Sequence, residues 1–177
     1  MAVEPRPPVR LVSRSAEATE RVGERLGRAL GPGAVLALSG ELGAGKTALV
    51  RGLARGLGVE EPVSSPTYTL LHEYEGRLRL YHYDAWMEGR ERALLAGGGS
   101  SWLFDAGVAV VEWAERVADL LPEPRLEVRL AHRGPEEREL ALERRGSGSD
   151  GAERALDAAL AAVEALVAQD PELEASA

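Results

Sequence analysis

Residues 40–47 read GELGAGKT, and this octapeptide constrains the fold more than any other stretch of the chain. The spacing G-x-x-x-x-G-K-[ST] needs a turn whose glycines take positive φ, so that backbone N–H groups converge on an anion. It also needs a strand before it and a helix after it. The sequence supplies both. AVLALS (34–39) is a short continuous apolar run, the pattern of a strand covered on both faces. KTALVRGLARGLG then carries a helix to Gly58. Gly52 and Gly56 each weaken that helix by about 1 kcal/mol relative to alanine, which predicts close packing there.

Lys46 is the single lysine among 21 lysines and arginines. Isoleucine and asparagine are absent as well, so a bias toward GC-rich codons explains why lysine is rare. It does not explain where the one lysine sits. A compact ammonium reaches β- and γ-phosphates inside a narrow loop, where a planar guanidinium fork does not fit. Thr47 offers a hydroxyl to Mg²⁺, and the helix starting near Lys46 points its positive end at the anion. Phosphate binding is therefore assigned to Gly40, Glu41, Leu42, Gly43, Ala44, Gly45, Lys46 and Thr47.

Such a loop needs a carboxylate to serve the Mg²⁺ shell. VAVVEW (108–113) is an apolar strand that delivers Glu112 at its C-terminal end, where ligands bind in open α/β sheets. Asp84 also ends a strand, and its tyrosine-rich setting reads as a polar site at a sheet edge. Mg²⁺ bound to ATP prefers oxygen ligands and retained waters, so Thr47 and Glu112 are the candidate metal ligands. Lys46, Asp84 and Glu112 are the candidate catalytic residues. SSPTYT (64–69) is a hydroxyl-rich loop that reads either as a γ-phosphate switch or as a plain proline turn. His72, His82 and His132 lack metal-ligand spacing and read as structural. Trp86 and Trp102 read as core or surface residues.

The remaining elements follow from periodicity. A short strand at Val9–Val12 precedes Ser15, an N-cap for a helix to Leu30 with Val22, Leu26 and Leu30 on its apolar stripe. A hairpin is expected from Thr67–Tyr74 and Arg77–Asp84 around a turn at Glu75–Gly76, with Leu78, Leu80, His82 and Asp84 on one face. Residues 88–107 suggest a short helix, a glycine loop and a turn. RLEVRLAH and RELALER form a second hairpin. GSGSDG opens a flexible linker (146–152), followed by a C-terminal helix and tail (153–177). Leu156, Leu160, Val163 and Val167 share one face, the mark of a helix docked on the 1–145 domain. The fold class is α/β, P-loop NTPase-like, with a small mixed parallel and antiparallel sheet flanked by helices.

A formal charge of −8 argues against autonomous nucleic-acid binding, which needs clustered cations. There is no cysteine, hence no disulfide or thiol chemistry. MAVEPRPPVR lacks the apolar stretch of a secretory signal, and no run approaches a membrane span, so a cytoplasmic location is expected.

Taken together, GELGAGKT, SPTYTLLHEY, YHYDAW, VVEWAER and LLPEPRLEVRL resemble the bacterial ATPases of tRNA threonylcarbamoyladenosine biosynthesis, the TsaE or YjeE family. They occur in that family's order and spacing over residues 10–143. The resemblance implies ATP hydrolysis coupled to a TsaB–TsaD complex, which carries threonylcarbamoyl to adenosine 37 of tRNAs reading ANN codons. Contact with tRNA would then be indirect. It also implies that Gly43–Thr47 grip phosphates, that Thr67 belongs to a nucleotide-responsive loop, and that Trp113 lies beside the nucleotide. Residues 15–19 and Arg138 would border the adenine. The chain departs from the family pattern at Ala48, where a second threonine is usual. HYDAWM stands for HFDLYR, and RERALLAGGGSSW replaces an acidic helix.

Two other functions share the loop. A small-molecule kinase would need an arginine-bearing lid, whereas a hairpin follows the loop here. A nucleotide-binding adaptor would bind ATP with little turnover. A GTPase signature cannot be written without asparagine.

Overall fold

The computed structural model describes residues 6–86, 89, 92–93, 95–96 and 106–177. The expected elements at residues 88–107, and Trp102 with them, therefore fall largely outside the described residues. One eight-stranded sheet runs through the molecule in the order β3-β4-β5-β2-β6-β7-β1-β8. The strands are β1 (Val9–Ser13), β2 (Val35–Ser39), β3 (Leu71–Tyr74), β4 (Leu80–Asp84), β5 (Val108–Glu112), β6 (Arg125–His132), β7 (Arg138–Arg145) and β8 (Leu173–Ala175). Among the described residues, three α-helices accompany them: α1 (Ala16–Ala29), α2 (Lys46–Gly56) and α3 (Asp150–Val167).

β4, β5, β2 and β6 form a parallel block. β3, β7, β1 and β8 join by antiparallel pairing, which gives the mixed sheet that the sequence predicts. β2 and β5 read as unbroken apolar runs because both faces are covered. Leu36, Leu38, Val108 and Val110 meet the helices on one face, while Val35, Ala37, Ala109 and Val111 belong to a second cluster on the other.

Helix α1 begins where Ser15 accepts a hydrogen bond from the N–H of Ala18 and ends at Leu30. Val22 and Leu26 are fully buried, and each contributes about 1.5–3 kcal/mol relative to exposure. Helices α1 and α2 approach at backbone distance. A Cβ on Gly52 would lie 1.8 Å from the carbonyl oxygen of Glu20, and one on Gly56 would lie 2.2 Å from that of Glu24. The cost of glycine in α2 is thus offset by contact that no other residue permits.

The first hairpin is shorter than the sequence suggests. Thr67–Leu70 is a turn closed on the Pro66 carbonyl, with Leu70 at φ 68°, so β3 starts only at Leu71. Its return strand starts at Leu80 because Arg77 is used elsewhere. The Arg77 guanidinium donates to the Gly27 and Leu30 carbonyls at the end of α1, and its N–H donates to Leu57 after α2. β3 covers the outer side of β4, so Asp84 lies one strand in from the edge rather than at it.

Helix α3 docks on the sheet through Leu156, Ala159, Leu160 and Val163. It begins at Asp150, inside the expected linker, because Ser149 caps it through the N–H of Ala152. Before it, Gly146 and Gly148 pack so closely on Glu123 and Pro124 that a Cβ on either would sit 2.2 Å from them. The tail then returns as β8, a strand the periodicity does not show, and pairs with β1.

Candidate functional site

Strand β2 and helix α2 place the loop of residues 40–45 at the C-terminal end of the parallel block. Gly40, Gly43 and Gly45 take φ values of 146°, 75° and 103°, a conformation that side-chain-bearing residues rarely adopt. Gly40 also has no room for a side chain, since its Cβ would lie 2.3 Å from the Leu130 carbonyl oxygen. Ala44 points into the core. Two side chains from the β6–β7 hairpin hold the loop from outside. His132 Nε2 lies 3.1 Å from the Leu42 carbonyl oxygen, and Arg138 Nη2 donates to that of Gly43 at 3.2 Å.

A cleft of about 650 Å³ opens over the loop. Gly43, Gly45, Lys46, Thr47 and Leu42 form its floor, Asp84, Glu112 and Trp113 one wall, and Ser15–Glu17, Thr19 and Arg138 the other. Ser65 and Thr67 complete the rim. Gly40, Glu41 and Ala44 shape the loop without lining the cleft.

Lys46 folds over the loop. Its Nζ donates to the carbonyls of Gly40 and Glu41, and it stands 3.8 Å from the centroid of the Trp113 ring. Burial lowers the Lys46 pKa, and the charges of Glu112, Glu115 and Asp84 oppose that shift. Trp113 reaches this position from φ 57°, ψ 37°, an outlier for a bulky residue. Its ring packs 4.5 Å from that of Trp86, with the Arg116 guanidinium 4.7 Å from the Trp86 centroid.

Asp84 and Glu112 are register partners at the ends of β4 and β5. They are 1% and 3% exposed. Glu112 accepts from Thr47 Oγ1 at 3.1 and 3.2 Å, and its Oε1 lies 2.8 Å from His82 Nε2. Asp84 Oδ2 accepts from Ser65 Oγ at 3.0 Å and Thr67 Oγ1 at 3.2 Å, while its Oδ1 accepts from the N–H of Trp86 at 2.8 Å. The loop of residues 64–69 is therefore tethered to a site carboxylate. Among the described residues, no arginine or lysine forms an ion pair with either carboxylate.

This all-oxygen donor set fits a hard divalent cation such as Mg²⁺, with Thr47 Oγ1 3.1 Å from Glu112 Oε1. Among the described residues, no cluster of three or more His, Cys, Asp or Glu could hold a metal unaided.

A family model described as threonylcarbamoyl adenosine biosynthesis protein TsaE matches residues 13–140. The chain belongs to the TsaE family. Relatives named tRNA threonylcarbamoyladenosine biosynthesis protein TsaE include one from Treponema pallidum, 49% identical over 115 residues, which span 65% of this chain and 85% of that protein. Another, from Bacillus subtilis, is 42% identical over 113 residues, spanning 63% and 70% respectively. The crystal structure of Bacillus subtilis YdiB superposes with a TM-score of 0.73 at 29% identity, covering 89% of this chain and 97% of YdiB.

Within this TsaE frame, the structure brings Lys46, Thr47, Thr67, Asp84, Glu112, Trp113 and Arg138 to one cleft. Ser15 and Thr19 line it too. Sequence reasoning missed the histidines. His132 grips the loop, and His82 touches Glu112, although both read as structural. Single-sequence spacing carries no sign of either contact, because each bridges separate strands or loops. Trp86, read as core or surface, stacks on Trp113.

Proposed function

We propose that this TsaE-family chain binds ATP with Mg²⁺ in the cleft and hydrolyses it in the service of tRNA threonylcarbamoylation. It would act on a TsaB–TsaD type complex in the cytoplasm and meet tRNA only through that complex. The family and its place in tRNA threonylcarbamoyladenosine biosynthesis are the starting point. The observation that carries the reading further is the in-register pair Asp84 and Glu112, buried beside Thr47 with no arginine or lysine among the described residues bonded to either. Keeping two buried carboxylates with no arginine or lysine bonded to them is costly, and the cost is offset when a cation arrives with the substrate.

Roles follow from position. Gly43, Gly45, Lys46 and Thr47 line the cleft at the start of α2, and their N–H groups would bind phosphate oxygens. Lys46 would leave the Gly40 and Glu41 carbonyls and the Trp113 face for the terminal phosphates. Thr47 and Glu112 would hold Mg²⁺, which when bound neutralises charge on the phosphates. Asp84, with Ser65 and Thr67 attached, would orient water at the metal side and couple it to the 64–69 loop. Residues 15–19 and Arg138 would flank the base.

The test is ATP turnover with Mg²⁺, alone and with the partner complex, alongside tRNA modification. Glu112→Gln should keep ATP binding and lose turnover by about 10²-fold or more. Full tRNA modification by Glu112→Gln would sink hydrolysis in favour of an adaptor. Fast phosphorylation of a metabolite without partners would sink it in favour of a kinase.

A further inference from the structure

His82 is completely buried, and one of its two ring nitrogens is used. Nε2 lies 2.8 Å from Glu112 Oε1. Nδ1 is buried and meets no hydrogen-bond partner among the described residues. A histidine kept only for packing would ordinarily satisfy both nitrogens or be replaced by an apolar residue, because an unmet buried polar atom is costly.

The register explains why a histidine can make this contact. On the parallel pair β4–β5, His82 stands opposite Val110, and Asp84 stands opposite Glu112. Glu112 is therefore the diagonal neighbour of His82 on the same face. Diagonal neighbours are too far apart for short side chains but within reach of an aromatic ring. The imidazole delivers an N–H from the interior side of the sheet, and Thr47 contacts the same carboxylate from the loop side.

We propose that His82 is a positioning residue, which fixes the Glu112 carboxylate in the orientation that serves Mg²⁺. It touches neither metal nor nucleotide. Without it, Glu112 keeps the Thr47 hydroxyl as its partner and is free to rotate about its remaining torsions. The inference rests on the reading of Glu112 as the metal-side carboxylate.

The experiment uses the full chain, with ATP titrated by calorimetry in the presence and absence of Mg²⁺. His82→Leu removes the donor and the unpaired nitrogen together. His82→Gln replaces the donor with an amide N–H. In His82→Leu, metal-free ATP affinity and Tm should hold, while the gain in affinity that Mg²⁺ confers should fall by about 10-fold or more. His82→Gln should recover most of that gain. Turnover should fall in His82→Leu, with KM for Mg·ATP rising as the Mg²⁺ gain is lost, and both should return toward wild type in His82→Gln. Wild-type Mg²⁺ response in His82→Leu overturns the inference, as does parallel loss of Tm and metal-free binding, or failure of His82→Gln to rescue. A wild-type chain that tightens on ATP with Mg²⁺ yet never turns it over breaks the hydrolysis reading alone, and the Mg²⁺ arm still tests His82.

Discussion

Lys46 and Arg144 carry their charge on side chains that are almost wholly buried, each near two carboxylates, and the protein treats them in opposite ways. Arg144 bonds directly to both of its acids. Its Nη1 lies 3.0 Å from Glu153 and its Nε lies 3.0 Å from Asp157, with the Arg144 and Glu153 side chains 5% and 4% exposed. Glu153 also accepts from the N–H of Gly148 at 2.8 Å, so this cluster ties α3 to β7 and to the segment before it. Lys46 bonds to neither of its acids. It donates to backbone carbonyls, while among the described residues Asp84 and Glu112 accept from hydroxyls, a backbone N–H and an imidazole. Each cluster sets one cation beside a pair of carboxylates, with Glu115 adding a third negative charge near Lys46. One set is closed on itself and holds structure. The other is kept apart, as the proposed binding of Mg²⁺ beside the carboxylates and of phosphate beside the lysine requires.

The sharpest way to break this comparison is to remove both cations in turn. Arg144→Met leaves the buried Glu153 and the half-buried Asp157 without their partner and should cost about 3 kcal/mol of stability, read by chemical unfolding. Nucleotide affinity of the remaining folded protein should not change. Lys46→Met should do the reverse. Nucleotide affinity should fall by about 10²-fold or more, measured by calorimetry. Its Tm should be unchanged or higher, because burial depresses the Lys46 pKa and folding therefore disfavours its charged form. A Lys46→Met protein that unfolds as readily as Arg144→Met would erase the distinction.

A smaller effect tests the periphery. Asp170 is held below its ordinary value of 3.8 by hydrogen bonds from Arg21, at 2.6 and 3.1 Å. That pair, with Glu172 on the same guanidinium, joins α1 to the chain leading into β8. A carboxyl whose folded pKa is lowered adds stability above the unfolded value and loses it as pH falls through the folded value. Arg21→Ala should therefore cost about 1 kcal/mol or less near neutrality, and the difference from wild type should vanish in acid below the folded Asp170 value. A difference that persists there would assign the contribution to packing of the arginine stem.

Much of the site was legible because its chemistry is local. The glycines of the loop need positive φ whatever surrounds them, and Lys46 and Thr47 follow at fixed offsets. Glu112 was legible as the polar end of an apolar strand. Asp84 was found but misplaced at the sheet edge, because strand order is a property of pairing rather than of any one segment. The expected strand at residues 67–70 became a turn, since Pro66 offers its carbonyl to two successive N–H groups. The three-residue β8 carries no periodicity of its own and exists only because β1 presents an edge to it.

The sequence by itself determined the loop, its flanking strand and helix, the polar ends of β4 and β5, and the apolar face of α3. Each follows from conformational preferences and repeats that act within a few residues. Only the tertiary structure decided that Asp84 and Glu112 stand in register, that His82 reaches Glu112 along a diagonal, and that Lys46 rests on Trp113. Those relations join residues tens of positions apart, and strand register fixes them rather than local preference.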